Sequence, residues 1–510
     1  MLAKVHSMGL FGIEAFPVEV EVDIARAEMP KMTLVGLPDA SVKESVDRVR
    51  AALKNSGFPF PGGAVTINLA PADRRKEGPA FELPILIGLL QASEAYMPAR
   101  DGRFAIVGEL ALDGRVRAVN GCLSVALQCR REGYDGIICP LDNAREAAIV
   151  DGIQAIPVAH VTEAVAFLSG SNTIKPIRLD LDGLFRKAAV YNMDLGEVRG
   201  QAHAKRALEI AAAGGHNLLM VGPPGAGKSM LAQRLCTILP PLALEESLET
   251  TSIHSVTGHL DRSTPLLATR PFRCPHHTVS DVGLVGGGAH PRPGEISLAH
   301  HGVLFLDELP EFSRSALEAL RQPLEDGRAT ISRAAMAVTY PCQFMLVGAM
   351  NPCPCGYYTD PKHMCRCTPN QITKYRNRIS GPLMDRIDIH VDVPPVEFDD
   401  LRPSRSGEPS AAVRERVMRA RGRQRERFAG EGFFTNARMD VRHMERHCRL
   451  SGACETLLEQ AMNSLGLSAR AYSKILKVAR TTADLEESGE IQPQHISEAI
   501  GYRSLDRLLE

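Results

Sequence analysis

Apolar and polar positions alternate with a period of two in Val18–Val22 and again in Val65–Leu69. That is the pattern of strands with one buried face. Between them, Ser41–Ser56 carries apolar residues at helical spacing, and Pro59, Pro61, Gly62 and Gly63 close it. Residues 1–168 therefore predict an α+β or α/β unit. The polar, irregular stretch from Gly170 to Asp182 predicts a linker over 169–189. Residues 190–398 change pattern: the apolar runs Asn217–Val221, Val303–Leu306 and Gln343–Val347 read as buried strands, and Ser229–Leu239 reads as a helix. A second linker, 399–410, is rich in Arg, Pro, Ser and Gly. Residues 411–510 read as helices separated by Gly and Pro.

Composition adds bounds to this picture. At ~150 residues per domain the chain has room for about three domains. Its 59 basic and 60 acidic side chains nearly cancel, to a formal charge of -1. This excludes a polybasic binder but not a local basic stripe. No apolar run approaches the ~18 residues of a membrane span, and Met1–Leu10 lacks a signal-peptide pattern. The expectation is a cytoplasmic protein without a membrane partner. Its 12 cysteines are then reduced thiols or metal ligands, not a disulfide framework.

The strongest chemical signal is Gly222-Pro223-Pro224-Gly225-Ala226-Gly227-Lys228-Ser229. It matches a phosphate-binding loop, with a strand leading in and a helix leading out. The glycines let backbone N–H groups face an anion, and the helix N-terminus adds its positive end. Lys228 reaches β- and γ-phosphates, and the Ser229 hydroxyl suits Mg²⁺. A metal needs a second acidic site. Asp307 and Glu308, at the exit of an apolar strand, supply it: Asp307 for Mg²⁺ through water and Glu308 as general base for the attacking water. An acidic turn after a buried strand is common in isolation; its pairing with the loop is what gives it a task. Asn351, at the exit of a third strand, can meet the γ-phosphate or the attacking water.

These motifs, with Leu383-Met384-Asp385-Arg386-Ile387-Asp388, resemble AAA+ ATPases, and more closely their magnesium-chelatase-like branch. Arg270–Thr278, Asn351–Gly356, Val35–Asp39 and Asn68–Asp73 extend the resemblance to the ComM/YifB family, over essentially the whole chain. The implied fold is α/β: an AAA+ P-loop parallel-sheet core (190–398), a Lon-protease-like α+β domain (1–168) and a C-terminal helical lid (411–510). The resemblance implies that Asn351 is the sensor-1 residue and that Arg386 is an arginine finger reaching the next subunit's ATP. It implies that Arg470, in Leu467–Lys474, touches phosphate from the lid. It further implies ATP and Mg²⁺ as cofactors, a homo-hexameric ring, and branched or single-stranded DNA as partner, in branch migration during natural transformation. A porphyrin-metallating chelatase subunit and a protein-remodelling ATPase are the rival readings.

Lys228 and Asp307 stand 79 residues apart. The family carries an insertion there, matched to Val282–Gly294, and a hairpin over Gly327–Thr339 precedes sensor 1. Arg292, Arg328 and Arg333 are their cations and would meet phosphate in a ring pore, unless they are ordinary surface arginines. Cys353, Cys355, Cys365 and Cys367 form two C-x-C pairs able to bind Zn²⁺ tetrahedrally, with His363 as a substitute ligand; a metal-free loop is the alternative. The other eight cysteines are read as packing residues, and His276-His277 beside Cys274 do not make a closed metal site. In the Lon-like domain, the serine and lysine of an active protease should fall within Glu77–Phe81 and Val119–Ser124. The chain has Ala80 in the first and no lysine in the second, so no acyl-enzyme can form. Arg74, Arg75 and Lys76 read as a solvated face or a DNA contact. Finally, Leu401–Leu450 holds 13 Arg, no Lys and six acids, a local +7. Arginine-only usage favours bidentate partners, hence an interface or DNA.

Overall fold

The computed structural model describes residues 2–27, 31–99, 102–188, 191–261, 263–288, 291–333, 336–358, 360, 363–396 and 407–505. The chain divides into two compact units: Met1–Lys187 with Leu244–Leu267, and Ala188–Ala243 with Ala268–Glu510. Two features depart from a three-part chain: residues 244–267 join the first unit, and the C-terminal helices share the second unit's core.

In the first unit, β1 (Leu2–Phe11), β2 (Glu14–Ala25), β3 (Lys31–Val35) and β4 (Ala64–Ala70) form a sheet in the order β1-β2-β4-β3. The period-two pattern read in β2 and β4 is realised: Val18, Val20, Val22, Val65, Ile67 and Leu69 are buried. Helix α1 (Ala40–Asn55) begins at Asp39, whose side chain accepts from the Val42 N–H. Helix α2 (Glu82–Ala92) is buried almost all round. Then follow β5 (Phe104–Ile106), the short pair β6 (Glu109–Leu110) and β7 (Val116–Arg117), α3 (Cys122–Arg131), β8 (Gly136–Pro140), α4 (Leu141–Ala147), β9 (Gln154–Val158), α5 (Val161–Leu168) and α6 (Leu181–Ala188). Strands β5, β8 and β9 pair in parallel.

The stretch read as a linker is structured up to α6. Ile177 donates to the Ala155 carbonyl at 3.0 Å, and Ile177, Leu179, Leu181 and Phe185 pack on the core around α3 and β8. Apolar residues spaced through a polar stretch found a core there. The second predicted linker lies largely outside the described residues. Leu248 and Leu266, from the later segment Leu244–Leu267, join the same core. The Ser255 hydroxyl in that segment bonds the buried Glu146 carboxylate, which also accepts from the Leu123 N–H at 2.8 Å.

The second unit opens with α7 (Ala202–Gly214), β10 (Leu218–Val221) and α8 (Lys228–Ile238). The first unit's α9 (Leu244–Thr257) comes next in the chain. Then come β11 (Phe272–Arg273), α10 (Asp281–Val285), the small pair β12 (Gly286–Gly287) and β13 (Arg292–Pro293), α11 (Glu295–Leu298), β14 (Val303–Leu306), α12 (Arg314–Ala319), α13 (Arg321–Asp326), the hairpin β15 (Arg328–Arg333) and β16 (Met336–Pro341), β17 (Met345–Met350), α14 (Pro369–Arg376), α15 (Gly381–Met384) and β18 (Ile389–Asp392). Five parallel strands run in the order β11-β14-β17-β10-β18. Successive residues of each strand enter opposite cores. Leu218, Met220, Val303, Phe305, Val347 and Ala349 face one, and Leu219, Val221, Leu304, Leu306, Leu346 and Met350 the other. Both faces are covered, which is why these strands read as unbroken apolar runs.

The C-terminal helices are α16 (Ser410–Arg427), α17 (Val441–His447), α18 (Gly452–Leu465), α19 (Ala469–Leu485) and α20 (Pro493–Gly501). Val413, Val417, Leu458, Ile475, Ala479 and Ile496 share one continuous core with α7, α8 and the sheet. That shared core is why the C-terminal helices and the five-stranded sheet form a single compact unit. Among the described residues no helix is long and apolar enough to cross a membrane.

Candidate active site

The sheet order reverses at β10, which is flanked by β17 on one side and β18 on the other. A crevice opens at such a switch point, at the carboxyl ends of the strands, and the 222–229 loop fills it. Gly225 and Gly227 take left-handed φ of +77° and +92°. A Cβ at Gly222 would stand 2.2 Å from the Val393 carbonyl oxygen, so only glycine fits there. No atom lies within 4 Å of a Cβ built at Gly225 or Gly227, which leaves the inner face of the loop open to a bulky anion. The cleft measures about 370 Å³ and is lined by Pro224–Met230, Asp307, Glu308, Met350 and Asn351.

Lys228 is buried at the first position of α8. Its Nζ donates to the carbonyls of Gly222 and Pro223 at 2.7 and 2.9 Å and to Asn351 Oδ1 at 3.1 Å. Burial lowers its pKa, against the opposing pull of Asp307 and Glu308. Ser229 Oγ donates to Asp307 Oδ2 at 2.6 Å. A hydroxyl and a carboxylate so close are hard oxygen donors that suit Mg²⁺ better than a soft metal. Glu308 has φ +50° and ψ +46°, a left-handed conformation costing a non-glycine residue roughly 1–2 kcal/mol. Its side chain is 57% exposed. His277 Nδ1 lies 3.5 Å from Glu308 Oε2, with its ring against His276 and Phe312. The sequence reading weighed His277 only as a metal ligand. The signal for its actual position was its place in the Arg270–Thr278 motif.

The structure thus brings Lys228, Ser229, Asp307, Glu308 and Asn351 into one cleft. It does not bring Arg386 or Arg470 there. Arg386 donates to the Arg321 carbonyl at 3.1 Å and to that of Pro382 at 2.5 Å, and it pairs with Glu325. Arg470, 70% exposed at the start of α19, pairs with Asp385. One turn on, Lys474 pairs with Asp388. Asp388 is buried beside His216, whose Nδ1 is 3.3 Å away and whose Nε2 meets Thr481 at 2.8 Å.

The four cysteines converge. Their sulfurs lie within 4.8 Å of one another. The 353–355, 353–365 and 355–365 pairs are 3.3, 3.7 and 3.6 Å apart. With Zn–S bonds of ~2.3 Å, the edge of a tetrahedral site is about 3.8 Å, so the donor set fits zinc. Backbone N–H groups of Tyr357 and Arg366 draw the Cys355 thiol down to about 6. His363, the proposed substitute, instead stacks on Tyr357 and lies 3.4 Å from Asp360. Of the cysteines read as packing residues, Cys274 is exposed and the other seven are buried.

The two inserts pack together: Tyr340 donates to the Pro291 carbonyl at 2.8 Å, and Arg333 to that of Gly288 at 3.4 Å. Arg292, Arg328 and Arg333 are exposed on them; residues 289, 290, 334 and 335 lie outside the described set. Other basic groups read differently from expectation. Lys76 is fully buried and donates to the Pro71 carbonyl, so it belongs to no solvated face. The arginine run of α16 is largely matched within the chain. Arg416 pairs with Glu209 and Glu408, Arg419 with Glu415 and Glu487, and Arg427 with Asp484; Arg421 bonds the Ala212 carbonyl. In the Lon-like region, Ala80 sits in a short turn at Pro79–Phe81 and Ser124 is buried on α3.

Comparison with known proteins places this geometry. Residues 194–401 match the family described as magnesium chelatase, subunit ChlI; residues 20–143 match "Subunit ChlI of Mg-chelatase", and 407–503 its C-terminal region. The YifB protein of Salmonella typhimurium is 45% identical over 510 residues, covering 100% of this chain and 98% of its own. Competence protein ComM of Haemophilus influenzae is 45% identical over 512 residues, covering 100% and 99%. A Lon protease of Methanosarcina barkeri is 30% identical over 146 residues, which is 26% of this chain and 18% of that one.

Proposed function

The chain belongs to the ComM/YifB family of magnesium-chelatase-like AAA+ ATPases, and from that premise we propose that it is an ATP-driven ring motor acting on branched or single-stranded DNA, in recombination that accompanies natural transformation. ATP lies in the cleft with its phosphates on the 222–229 loop. Ser229 and Asp307 hold Mg²⁺, which neutralises phosphate charge. Glu308 takes a proton from the attacking water, and Asn351 contacts the γ-phosphate or that water. Arg386 is the finger for a neighbouring subunit's ATP. Its position outside its own cleft, at α13, agrees with action in trans. Arg470 closes on nucleotide from the lid after leaving Asp385. The ring is a homo-hexamer in the cytoplasm, with residues 1–168 as a non-catalytic scaffold, 190–398 as motor and 411–510 as lid. The four cysteines hold Zn²⁺ and brace their loop.

The observation carrying the DNA assignment is the pair of packed inserts that expose Arg292, Arg328 and Arg333. Arginine on an exposed insert meets phosphate without reading sequence. The inserts contain no aromatic residue between Val282 and Gly294 or between Gly327 and Thr339, so the grip on unfolded polypeptide used by protein unfoldases has no counterpart. ATPase rate is the test, measured with forked or four-way DNA, an unfolded protein and a porphyrin in parallel. Stimulation by DNA alone is expected; stimulation by the porphyrin alone would sink the DNA reading. The chelatase reading keeps its control arm because residues 20–143 also match the ChlI family, so the N-terminal unit does not argue against it.

A further inference from the structure

The cysteine knuckle is not a remote staple. Its first ligand, Cys353, is buried two residues beyond Asn351. The Gly356 N–H closes a turn on the Cys353 carbonyl at 2.9 Å. Gly356 has φ +86°, and a Cβ there would meet Pro224 Cδ at 2.5 Å. The turn therefore rests directly on the phosphate loop. The last ligand, Cys367, leads straight into α14, where Thr368 and Gln371 form a capping box. From α14, Arg376 donates to the Pro352 carbonyl at 3.1 Å, and the buried Tyr375 hydroxyl lies beside the Asn351 backbone, which lowers its pKa against the larger rise from burial. Asn351 is thus held from both ends of one knuckle, while its side chain holds Lys228.

We infer that a zinc ion bound by Cys353, Cys355, Cys365 and Cys367 positions Asn351, and with it the ability of the cleft to tell ATP from ADP. The inference rests on reading the cleft as an ATP site. Zinc joins the Cys353–Cys355 turn under Asn351 to the Cys365–Cys367 segment that launches α14. Without it the two segments part, and both the Tyr375 support and the Gly356–Pro224 contact lose their anchor. The ADP contacts come from the loop backbone and survive. The γ-phosphate contact of Asn351 does not. Asn351 is the group that touches nucleotide; the cysteines are positioning residues.

The test uses the full-length chain. Zinc is counted by mass spectrometry, and affinities for ATPγS and ADP are measured by calorimetry. Three forms are compared: wild type, the Cys365→Ser/Cys367→Ser double variant, and Cys365→His, which keeps a zinc ligand. Wild-type protein stripped of metal with a mercurial, then reloaded with zinc, covers the case in which the double variant fails to fold. Wild type and Cys365→His should hold about one zinc per chain. In the zinc-free forms the preference for ATPγS over ADP should fall about tenfold, the order of one hydrogen bond to a charged group, and zinc should restore it. Less than about 0.2 zinc per wild-type chain overturns the inference. So does an unchanged preference in zinc-free protein, or an equal loss of both nucleotides. A wild type that binds nucleotide without zinc defeats this inference alone; one that holds zinc but binds neither nucleotide defeats the ATP reading and the coupling with it.

Discussion

Lys228 reaches two carbonyls and Asn351 from the base of the cleft, so its removal leaves the loop without its cation. Lys228→Ala should weaken ATP binding at least about tenfold, the scale of one charge-assisted hydrogen bond, by calorimetry. Glu308→Gln keeps the shape but not the base. It should bind ATP normally and hydrolyse it about 100-fold or more slowly; hydrolysis at the wild-type rate would refute the base assignment. The phosphate loop was legible because its chemistry is encoded in consecutive residues. The left-handed turn at Glu308 and the approach of His277 were not, since they depend on how distant strands end. Acid stability also belongs at this scale. Burial holds the His216 pKa below its ordinary value, and the Lys474 ammonium with His216 holds Asp388 below its own. Both folded values lie under the unfolded ones. The stability they contribute is therefore present above about pH 6.5 for the histidine and about 3.9 for the aspartate, and is lost as pH falls through the folded values. Urea melts from pH 7 to 5 should lose stability by up to about 1.4 kcal/mol per pH unit for the His216 proton, Asp388 acting only at lower pH, and His216→Gln should reduce that slope.

At the level of elements, α16 shows where charge counting stops. Its arginines were countable, but their partners Glu209, Asp484 and Glu487 lie on or beside α7 and α19, and only packing brings them near. Asp484 is buried and also meets Arg480 at 3.2 Å. Arg427→Ala should thus destabilise the chain by about 2 kcal/mol, the loss of one charged hydrogen-bonded contact while Arg480 and Asn436 still bond Asp484, read from the denaturation midpoint at unchanged slope. Arg425→Ala, on the exposed side of the same helix, should fall within about 0.5 kcal/mol of wild type. The core strands were recognisable because each enters two cores and so has no polar alternation. Their limits were less clear. The run from Gln343 extends as strand to Met350, because Gly348 and Ala349 carry little apolar signal yet pair fully with β10.

The whole molecule tests the arginine finger. Arg386→Ala and Glu308→Gln should each be inactive alone. Mixed, they should recover ATPase, since some interfaces then combine an intact Glu308 with an intact Arg386; no recovery at any ratio would count against a shared site. The near-zero net charge also changes meaning. It is the sum of a +7 stretch, whose helix arginines are largely paired within the chain, and a net acidic remainder that still carries outward-facing arginines on its inserts. The order of strands and helices was legible where motif and pattern change together along the chain. The excursion of Leu244–Leu267 into the first unit was not, since nothing local marks the helix's partner as α3.

That excursion sets a timetable for synthesis. The first unit's core needs Leu248 and Leu266, which lie in the segment ending 80 residues after Lys187. At about 5–20 residues per second, the ribosome takes roughly 4–16 s to deliver them. During that interval the nascent chain carries an open apolar seam beside α3, and the phosphate loop is made before the seam can close. The N-terminal unit cannot close until Leu267 is made, well after its own first 187 residues, so a chaperone holding the seam would act while the second unit has only the first strand of its sheet.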